Sequence, residues 1–418
     1  MRSRYFVPGC TQTSTCLGDN EEVMDTVRAE SSGLARTLGT AQALMRSLLP
    51  DPLRATAAGL ALLPTPVYSR LDGQDTLLRA YTKCPAHARR IARWHSSEEF
   101  GTKAADSLEL RRKVHAALDK FLPPGELPPS VEDGATPLRD WWNAYDALDV
   151  AINANASDVA GAGDGSPADE ELRALLPAAM QLAAWVEARK FGAELASNTC
   201  GSALLRDILK AISSPTGPKL RHYSSHYPTM LCALTSLGLS VDSGSADDTW
   251  LGDHLLPTGS ALALEVNSSG LVRLYFWHAN DVLDAVPGAH PKGWTRLMQP
   301  CGPDGQRSEW CSRVGFAGSV ASRVLATDAD WCRACDNTQL DVCRAAAAEH
   351  LVPMAGAVVP SVLVGLAIVL LVGLLLVRRR TRPRRQGRPV VTEIGGCSVP
   401  AFLSQRQSKP HAVDANRV

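Results

Sequence analysis

The residues with the clearest chemical potential lie in the segment KLRHYSSHYPTMLCALTSLGL, residues 219–239. A short semi-apolar run ends at Ser225 and His226, and Tyr227-Pro228 then begin an apolar helical pattern. The start of a helix has unpaired N–H groups and a partial positive charge, so it attracts anions. A histidine between a strand and such a helix can hydrogen-bond a phosphate, although taken alone the segment fits an ordinary loop histidine more often. His226 is therefore a candidate for phosphate chemistry.

The elements around His226 alternate between strand-like and helical patterns. Apolar residues at helical spacing predict helices over 23–49 and 102–121. Ser166-Pro167 as a cap, followed by acidic residues, predicts the start of a helix over 167–191, and a further helix follows over 201–212. Strand-like runs cluster at 60–70 and 219–280, and they include a hairpin in which SALALEV and VRLYFWHA flank the turn NSSG. This arrangement predicts an α/β fold with a helical insertion at about residues 100–212.

Charge is distributed unevenly along the chain. The 418 residues have a net charge of zero, but residues 378–418 hold ten basic residues against Glu393 and Asp414, a balance of +8. The remainder therefore has a balance of −8. An acidic body argues against nucleic acid as a partner, because phosphate-backbone binding needs clustered basic residues.

An uncharged apolar run occupies residues 354–377 and is long enough to cross a bilayer as one transmembrane helix. The run RRRTRPRR follows at once, and positive charge beside a span marks its cytoplasmic side. The sequence therefore predicts a single-pass type I membrane protein. Residues 1–345 form its ectodomain, and residues 378–418 form a basic cytoplasmic tail.

Ten of the eleven cysteines precede the predicted span, and Cys397 follows it. An even number of cysteines outside the cytosol predicts disulfide bonds, with the pairing left open. Zinc at Cys332 and Cys335 is an alternative, but a lone C-x-x-C outside the cytosol is more often disulfide-bonded. Two N-x-S/T sequons, at Asn155 and Asn267, predict glycosylation on the same side of the membrane.

The first residues, MRSRYFVPGCTQTSTC, contain no apolar core of the kind found in signal peptides. A body that is translocated ahead of a C-terminal span needs such a signal. We therefore expect that the sequence starts part-way into a longer protein.

Several segments occur together in an order that resembles one enzyme family. VRAESSGLARTLGTAQALMRSLLPDP is similar to the pattern V-R-S-T-D-x-x-R-T-x-x-S-A-x-A-x-x-x-G-L-F-P, with two extra residues before Arg36-Thr37. LPTPVYS…LLRAYTKCP, WWNAYDAL and YSSHYPTMLCALTSLGL match further segments in the same order. Over roughly residues 1–335 the chain thus resembles the histidine acid phosphatases, in the branch that includes lysosomal and prostatic acid phosphatase.

This resemblance implies a doubly wound three-layer α/β core with a helical cap. The family hydrolyses phosphomonoesters without a metal or other cofactor. A histidine of an R-H-G-x-R-x-P motif attacks phosphorus, arginines clamp the phosphate oxygens, and an acid protonates the leaving oxygen. Carried over, Arg28 matches a phosphate-clamping arginine and His226 matches the histidine of the second motif. A homodimer and an endosomal, lysosomal or cell-surface location are further expectations.

Two departures from the family pattern bear on activity. No R-H-G-x-R-x-P occurs in the 418 residues, so the nucleophile motif is missing from this sequence. The family's acidic residue after the second-motif histidine is Tyr227 here. A tyrosine is a poor proton donor at acidic pH, and Glu30, near Arg28, is the candidate substitute. A non-catalytic surface glycoprotein that uses the fold for binding is therefore the alternative to an acid phosphatase.

Overall fold

The computed structural model describes most of the chain up to residue 348 and a short stretch after it. The described residues are 27–48, 66–122, 132–153, 167–196, 198–214, 217–239, 255–256, 258–278, 293–302, 304–348, 368–374 and 376. Contacts divide the chain into two units, Met1–Leu351 and Val352–Val418. In the second unit, residues 368–374 are helical.

The first unit combines strands and helices, which confirms the mixed α/β prediction. Its strands are β1 (Val27–Ser31), β2 (Val67–Ser69), β3 (Leu220–Ser224), β4 (Ala261–Val266), β5 (Leu271–His278), β6 (Gly293–Leu297), β7 (Gln299–Pro300), β8 (Arg307–Ser308) and β9 (Cys311–Ser312). Its helices are α1 (Ala35–Leu48), α2 (Pro85–His95), α3 (Glu98–Asp106), α4 (Leu108–Phe121), α5 (Trp141–Asn153), α6 (Pro167–Phe191), α7 (Ala193–Ala196), α8 (Ser202–Ser213), α9 (Tyr227–Leu237), α10 (Arg313–Val320) and α11 (Asp328–Cys335).

A parallel sheet leads to His226. Its described strands lie in the order β2-β1-β3, and Ser31 at the end of β1 is level with Ser224 at the end of β3. Because the strands are parallel, their carboxyl ends meet at one edge, where ligands of α/β proteins commonly bind.

The two faces of this sheet pack against different helices. Ala29 and Leu220 pack with Met45 and Leu48 of α1 on one face. Tyr223 packs with Leu204 of α8 on the other face, so the described part of the sheet lies between two helical layers. Alternation along a strand explains this, because residues 220 and 223 are an odd number apart and face opposite ways.

Helices α4, α5 and α6 pack against one another within residues 108–191, inside the predicted helical insertion. Trp141 is completely buried among them, and its indole N–H donates to the carbonyl oxygen of Ala179 at 3.1 Å. Helix α9 contacts α6 and has nine buried residues out of eleven, which fits its apolar sequence. The helix that follows His226 therefore packs into the same core as the helical layer formed by α4, α5 and α6.

The predicted hairpin is confirmed: β4 pairs with β5 in antiparallel register, and β6 and β9 also pair with β5. The turn uses Asn267, whose side-chain oxygen accepts from the N–H of Leu271 at 2.9 Å. Gly270 has a φ of +74°, a conformation that glycine adopts without steric cost.

Two helix predictions are corrected. Residues 27–31 form a central strand rather than part of a helix over 23–49, because their apolar side chains fill the space between the sheet and α1. The predicted helix over 102–121 is two helices, α3 and α4, which meet at Ser107. Arg111 is buried at this junction, where it donates to the carbonyl oxygens of Ala104 and Thr136 at 2.8 and 2.7 Å.

Eight cysteines in the described residues form four disulfide bonds. The pairs are Cys84–Cys335, Cys200–Cys232, Cys301–Cys311 and Cys332–Cys343. Both cysteines of the C-x-x-C sequence thus bond to other partners, which confirms the disulfide interpretation over zinc. Cys10, Cys16 and Cys397 lie outside the described residues.

The predicted span over 354–377 lies largely outside the described residues, as do the tail and Asn155. Within the part of the chain that the structure describes, no helix is both long and apolar enough to cross a bilayer.

Gly201, which directly precedes α8, lies close against α9 next to the Cys200–Cys232 disulfide. A Cβ at this position would overlap the backbone of Cys232 and the side chain of Ser236. We expect Gly201→Ala to destabilise the protein by about 1–3 kcal/mol, measured by urea unfolding. Gly101→Ala in α3 is the matched control, because open space surrounds that glycine and alanine favours the helix. Equal stability of the two variants would contradict the close approach.

Candidate active site

His226 lies at the carboxyl edge of the parallel sheet, directly before α9. Its Nε2 is 3.0 Å from the hydroxyl of Ser32, which follows β1. The N–H of Ser32 donates to the carbonyl oxygen of Ser224 at 3.1 Å, so the pairing of β1 with β3 continues one residue beyond the strands. The two segments that meet here are 194 residues apart in sequence.

Hydroxyl groups fix the position of Ser32. Its Oγ is 2.7 Å from Oγ1 of Thr37, which lies 3.0 Å from the carbonyl oxygen of Ser32. Ser224 also donates to the carbonyl oxygen of Thr37 at 2.8 Å. Every donor is satisfied when Thr37 donates to a carbonyl, Ser32 donates to Thr37, and His226 donates from Nε2 to Ser32. The start of α1 thereby orients the imidazole of His226.

Charged groups of both signs act on the His226 imidazole. Burial, together with the positive charges of Arg36 and Arg79, lowers its pKa to about 4, whereas the charge of Asp72 acts in the opposite direction. The imidazole is therefore neutral above about pH 5. A histidine that is under the positive charge of two guanidinium groups is electrostatically suited to a bound anion.

Arg36 comes from the first turn of α1. Because α1 follows β1 and α9 follows β3, both helices begin at the edge where His226 lies. Helix N-termini add partial positive charge to that of the arginines. The edge therefore combines several features that bind phosphate oxygens.

Arg79 is held at this edge by the segment before it. The carbonyl oxygen of Leu78 accepts from the hydroxyls of Ser225 and Thr229, on either side of the α9 start. The guanidinium of Arg79 forms an ion pair with Asp72, and among the described residues its buried Nε has no hydrogen-bond partner. Arg79 thus has a donor left over beside His226.

Arg28 lies within β1, away from the carboxyl edge of the sheet where His226 lies. It lies three residues before the end of β1, in register with Arg221. Its Nε donates to Glu30 at 2.7 Å, and its guanidinium stacks over the ring of Tyr68 at 4.6 Å. The structure therefore brings Arg36, rather than Arg28, into the electrostatic surroundings of His226, and phosphate clamping by Arg28 stays a prediction. The carboxylate of Glu30 is engaged with Arg28.

The side chain of Tyr227 reaches a second group of charged residues, which belong to the helical layer. Its hydroxyl donates to Glu187 of α6 at 3.1 Å, and Glu187 also accepts from Lys190 at 2.7 Å. Burial and the nearby carboxylates of Glu187 and Asp146 raise the pKa of Tyr227 far above its ordinary value. Tyr227 is therefore unsuited to give up a proton.

Sequence reasoning missed both arginines beside His226. For Arg36 a signal existed, because Arg36-Thr37 matches R-T of the family pattern and begins a helix after β1. Arg79 lies in the matched segment LLRAYTKCP, but the resemblance gave no role to it, and its position depends on hydrogen bonds between Leu78 and the start of α9. Such tertiary contacts are not visible in local sequence.

Comparisons with known proteins give similarity at the level of solved structures alone. No protein-family model and no curated protein matches the chain. The crystal structure of Klebsiella sp ASR1 phytase is 19% identical, with a TM-score of 0.44 over 72% of this chain and 76% of its own. The Citrobacter braakii phytase is 16% identical, with a TM-score of 0.44 over 76% and 82%. Apo Hafnia alvei phytase is 17% identical, with a TM-score of 0.45 over 79% and 82%. Likeness this distant does not show the activity of the chain. The function therefore has to be inferred from the residues of the site.

The charge environment of His226 can be measured by NMR titration. We expect a pKa of about 4 in the unaltered chain. Arg36→Gln should raise it towards the ordinary value of about 6.5, because a cation that disfavours the imidazolium is removed. Arg28→Gln is the matched control and should leave the His226 pKa unchanged. A shift in the control alone would show that Arg28 is the arginine at the site.

Proposed function

We propose that this chain provides a phosphomonoester site of the histidine acid phosphatase type. The observation that supports this best is the neutral imidazole of His226, which is fixed by Ser32 and lies within the electrostatic influence of Arg36 and Arg79. A phosphate dianion there would meet two guanidinium groups, an imidazole and the starts of two helices. We further propose that the site serves hydrolysis, in which a histidine takes the phosphoryl group and water releases it.

The alternative is a phosphatase-like surface glycoprotein that binds phosphate esters without hydrolysing them. One observation favours it. The position after His226 holds Tyr227, whose hydroxyl is engaged with Glu187. Binding requires only the described residues around His226, whereas hydrolysis needs a nucleophile in addition.

We propose further that the protein is a type I membrane glycoprotein of the endosomal, lysosomal or plasma membrane, with the site outside the cytosol. The charge-free run over 354–377 and the basic tail support this topology. Asn267 lies in the β4–β5 turn, where Ser268 and Ser269 are exposed, so a glycan could be accommodated. A homodimer remains part of the proposal. Labelling intact cells with a membrane-impermeant reagent tests the orientation.

Phosphate binding is tested on the full chain by NMR titration of His226. Inorganic phosphate should raise the His226 pKa, because an anion favours the imidazolium. Arg36→Gln and Arg79→Gln should each weaken binding by about tenfold or more, as expected for a lost charge-assisted hydrogen bond of about 1.5–3 kcal/mol. Lys120→Gln, which removes an exposed cation in α4, is the control. Phosphate that leaves the His226 titration unchanged would contradict the proposed site.

Hydrolysis is tested separately with p-nitrophenyl phosphate near pH 5. Two forms are compared: Met1–Val418, and the same chain extended by the in-frame residues encoded ahead of Met1. Turnover by either form, lost in His226→Ala, supports the phosphatase. Phosphate binding without turnover in both forms establishes the binding glycoprotein.

A further inference from the structure

The carboxylate of Asp72 joins two cations beside the phosphate site. Its Oδ1 pairs with Nη1 of Arg79, and its Oδ2 lies 4.0 Å from Nζ of Lys83. The side chains of Arg79 and Lys83 are only 18% and 16% exposed, whereas that of Asp72 is 45% exposed. Two largely buried cations thus share the charge of this carboxylate, which limits the positions that the Arg79 guanidinium can take.

Contacts on both sides place the segment that carries Asp72 at the carboxyl edge of the sheet. A Cβ added to Gly33, the residue after Ser32, would lie 3.4 Å from the backbone nitrogen of Asp72. At the other end of the segment, the carbonyl oxygen of Leu78 accepts from the hydroxyls on either side of His226. The segment therefore bridges the loop after β1 and the start of α9.

The backbone of this segment is fixed by a turn, but the turn does not fix the direction of the Arg79 side chain. Oδ1 of Asp75 accepts from the N–H groups of Leu77 and Leu78 at 3.0 and 2.9 Å, and Asp75 is 1% exposed. This turn holds the backbone that leads into Arg79. Beyond it, the long side chain of an arginine has many rotamers to lose. The ion pair with Asp72 reduces that freedom.

A planar guanidinium that is held at one nitrogen has its other donors directed as well. Asp72 engages Nη1 of Arg79, and the buried Nε of Arg79 has no hydrogen-bond partner among the described residues. A buried donor without a partner costs free energy, and an oxyanion is a partner that suits a guanidinium. Fixing Nη1 therefore leaves Nε available to a phosphate oxygen at the edge where His226 lies.

We propose that Asp72 is a positioning residue of the phosphate site, which holds Nη1 of Arg79 so that Nε of the same guanidinium donates to a phosphate oxygen. The inference rests on the proposed phosphate binding and deepens it, and it does not depend on turnover. By its charge alone, a carboxylate near a bound anion weakens the binding of that anion. Positioning and charge therefore predict opposite results when Asp72 is replaced.

The test is calorimetric titration of the full chain with inorganic phosphate at about pH 7. Asp72→Ala removes the partner of Arg79 and should weaken phosphate binding by about tenfold, as expected for the loss of a charge-assisted hydrogen bond to the ligand. Asp72→Asn keeps an oxygen acceptor without the charge and should weaken binding less. Asp119→Ala, at an exposed position in α4, is the control and should leave the dissociation constant unchanged. Unchanged or tighter binding in Asp72→Ala would overturn the proposal.

A double-mutant cycle separates the positioning of Arg79 from a general effect on folding. In an Arg79→Gln background the guanidinium that Asp72 holds is absent, so Asp72→Ala should not weaken phosphate binding further. A second loss of about tenfold in this background would show that Asp72 acts on the fold rather than on Arg79, and the positioning role would then be wrong.

Failure of the positioning role and failure of the phosphate site give different results. If the unaltered chain does not bind phosphate, the proposed function fails, and the role of Asp72 fails with it. If the unaltered chain binds phosphate and Asp72→Ala behaves like Asp119→Ala, the role of Asp72 alone fails.

Discussion

The parallel pairing of β1 with β3 is the interaction on which the rest of the site depends. It places Ser31 beside Ser224, and one residue further on it places Ser32 against His226. A slip of one residue in this register would turn every side chain of the strand to the other face. Ala29 would then leave the cluster beneath α1, and Ser32 would no longer face the imidazole. Core packing and site geometry thus specify the same register.

Three histidines make the fold sensitive to acid. Burial lowers the pKa of His87, His222 and His226 to about 4 in each case. An unfolded chain would protonate these side chains near pH 6.5, so the unfolded state binds more protons as the pH falls from about 6.5 to 4. Folding stability contributed by the neutral histidines is present above that window and is lost within it. An anion bound at His226 reduces the part of this loss that comes from His226, because it raises the pKa of His226 in the folded protein.

Local sequence predicts a helix or strand correctly where the residues of that element alone determine its structure. The β4–β5 hairpin, α6 and α8 follow from alternation, helical spacing and capping residues, and they form close to where they were predicted. Residues 27–31 were assigned to a helix because their strand character depends on two neighbouring strands that are distant in sequence. The same limit applies to the site. His226 was found because a motif and a helix start mark it, whereas Arg79 reaches the site through the carbonyl of Leu78 and the hydroxyl of Thr229.

Tyr227 connects the start of α9 to the helical layer. A tyrosine reaches further than an aspartate, and its ring packs against the core while its hydroxyl reaches Glu187. The hydroxyl of Tyr227 therefore ties the start of α9 to a carboxylate of α6. An aspartate placed at position 227 would lose the ring packing and add a negative charge near Glu187 and Asp146. Like charges in a buried setting disfavour one another's ionised forms. The identity of residue 227 and the carboxyl groups of the helical layer are thus physically coupled, and neither can be altered without affecting the other.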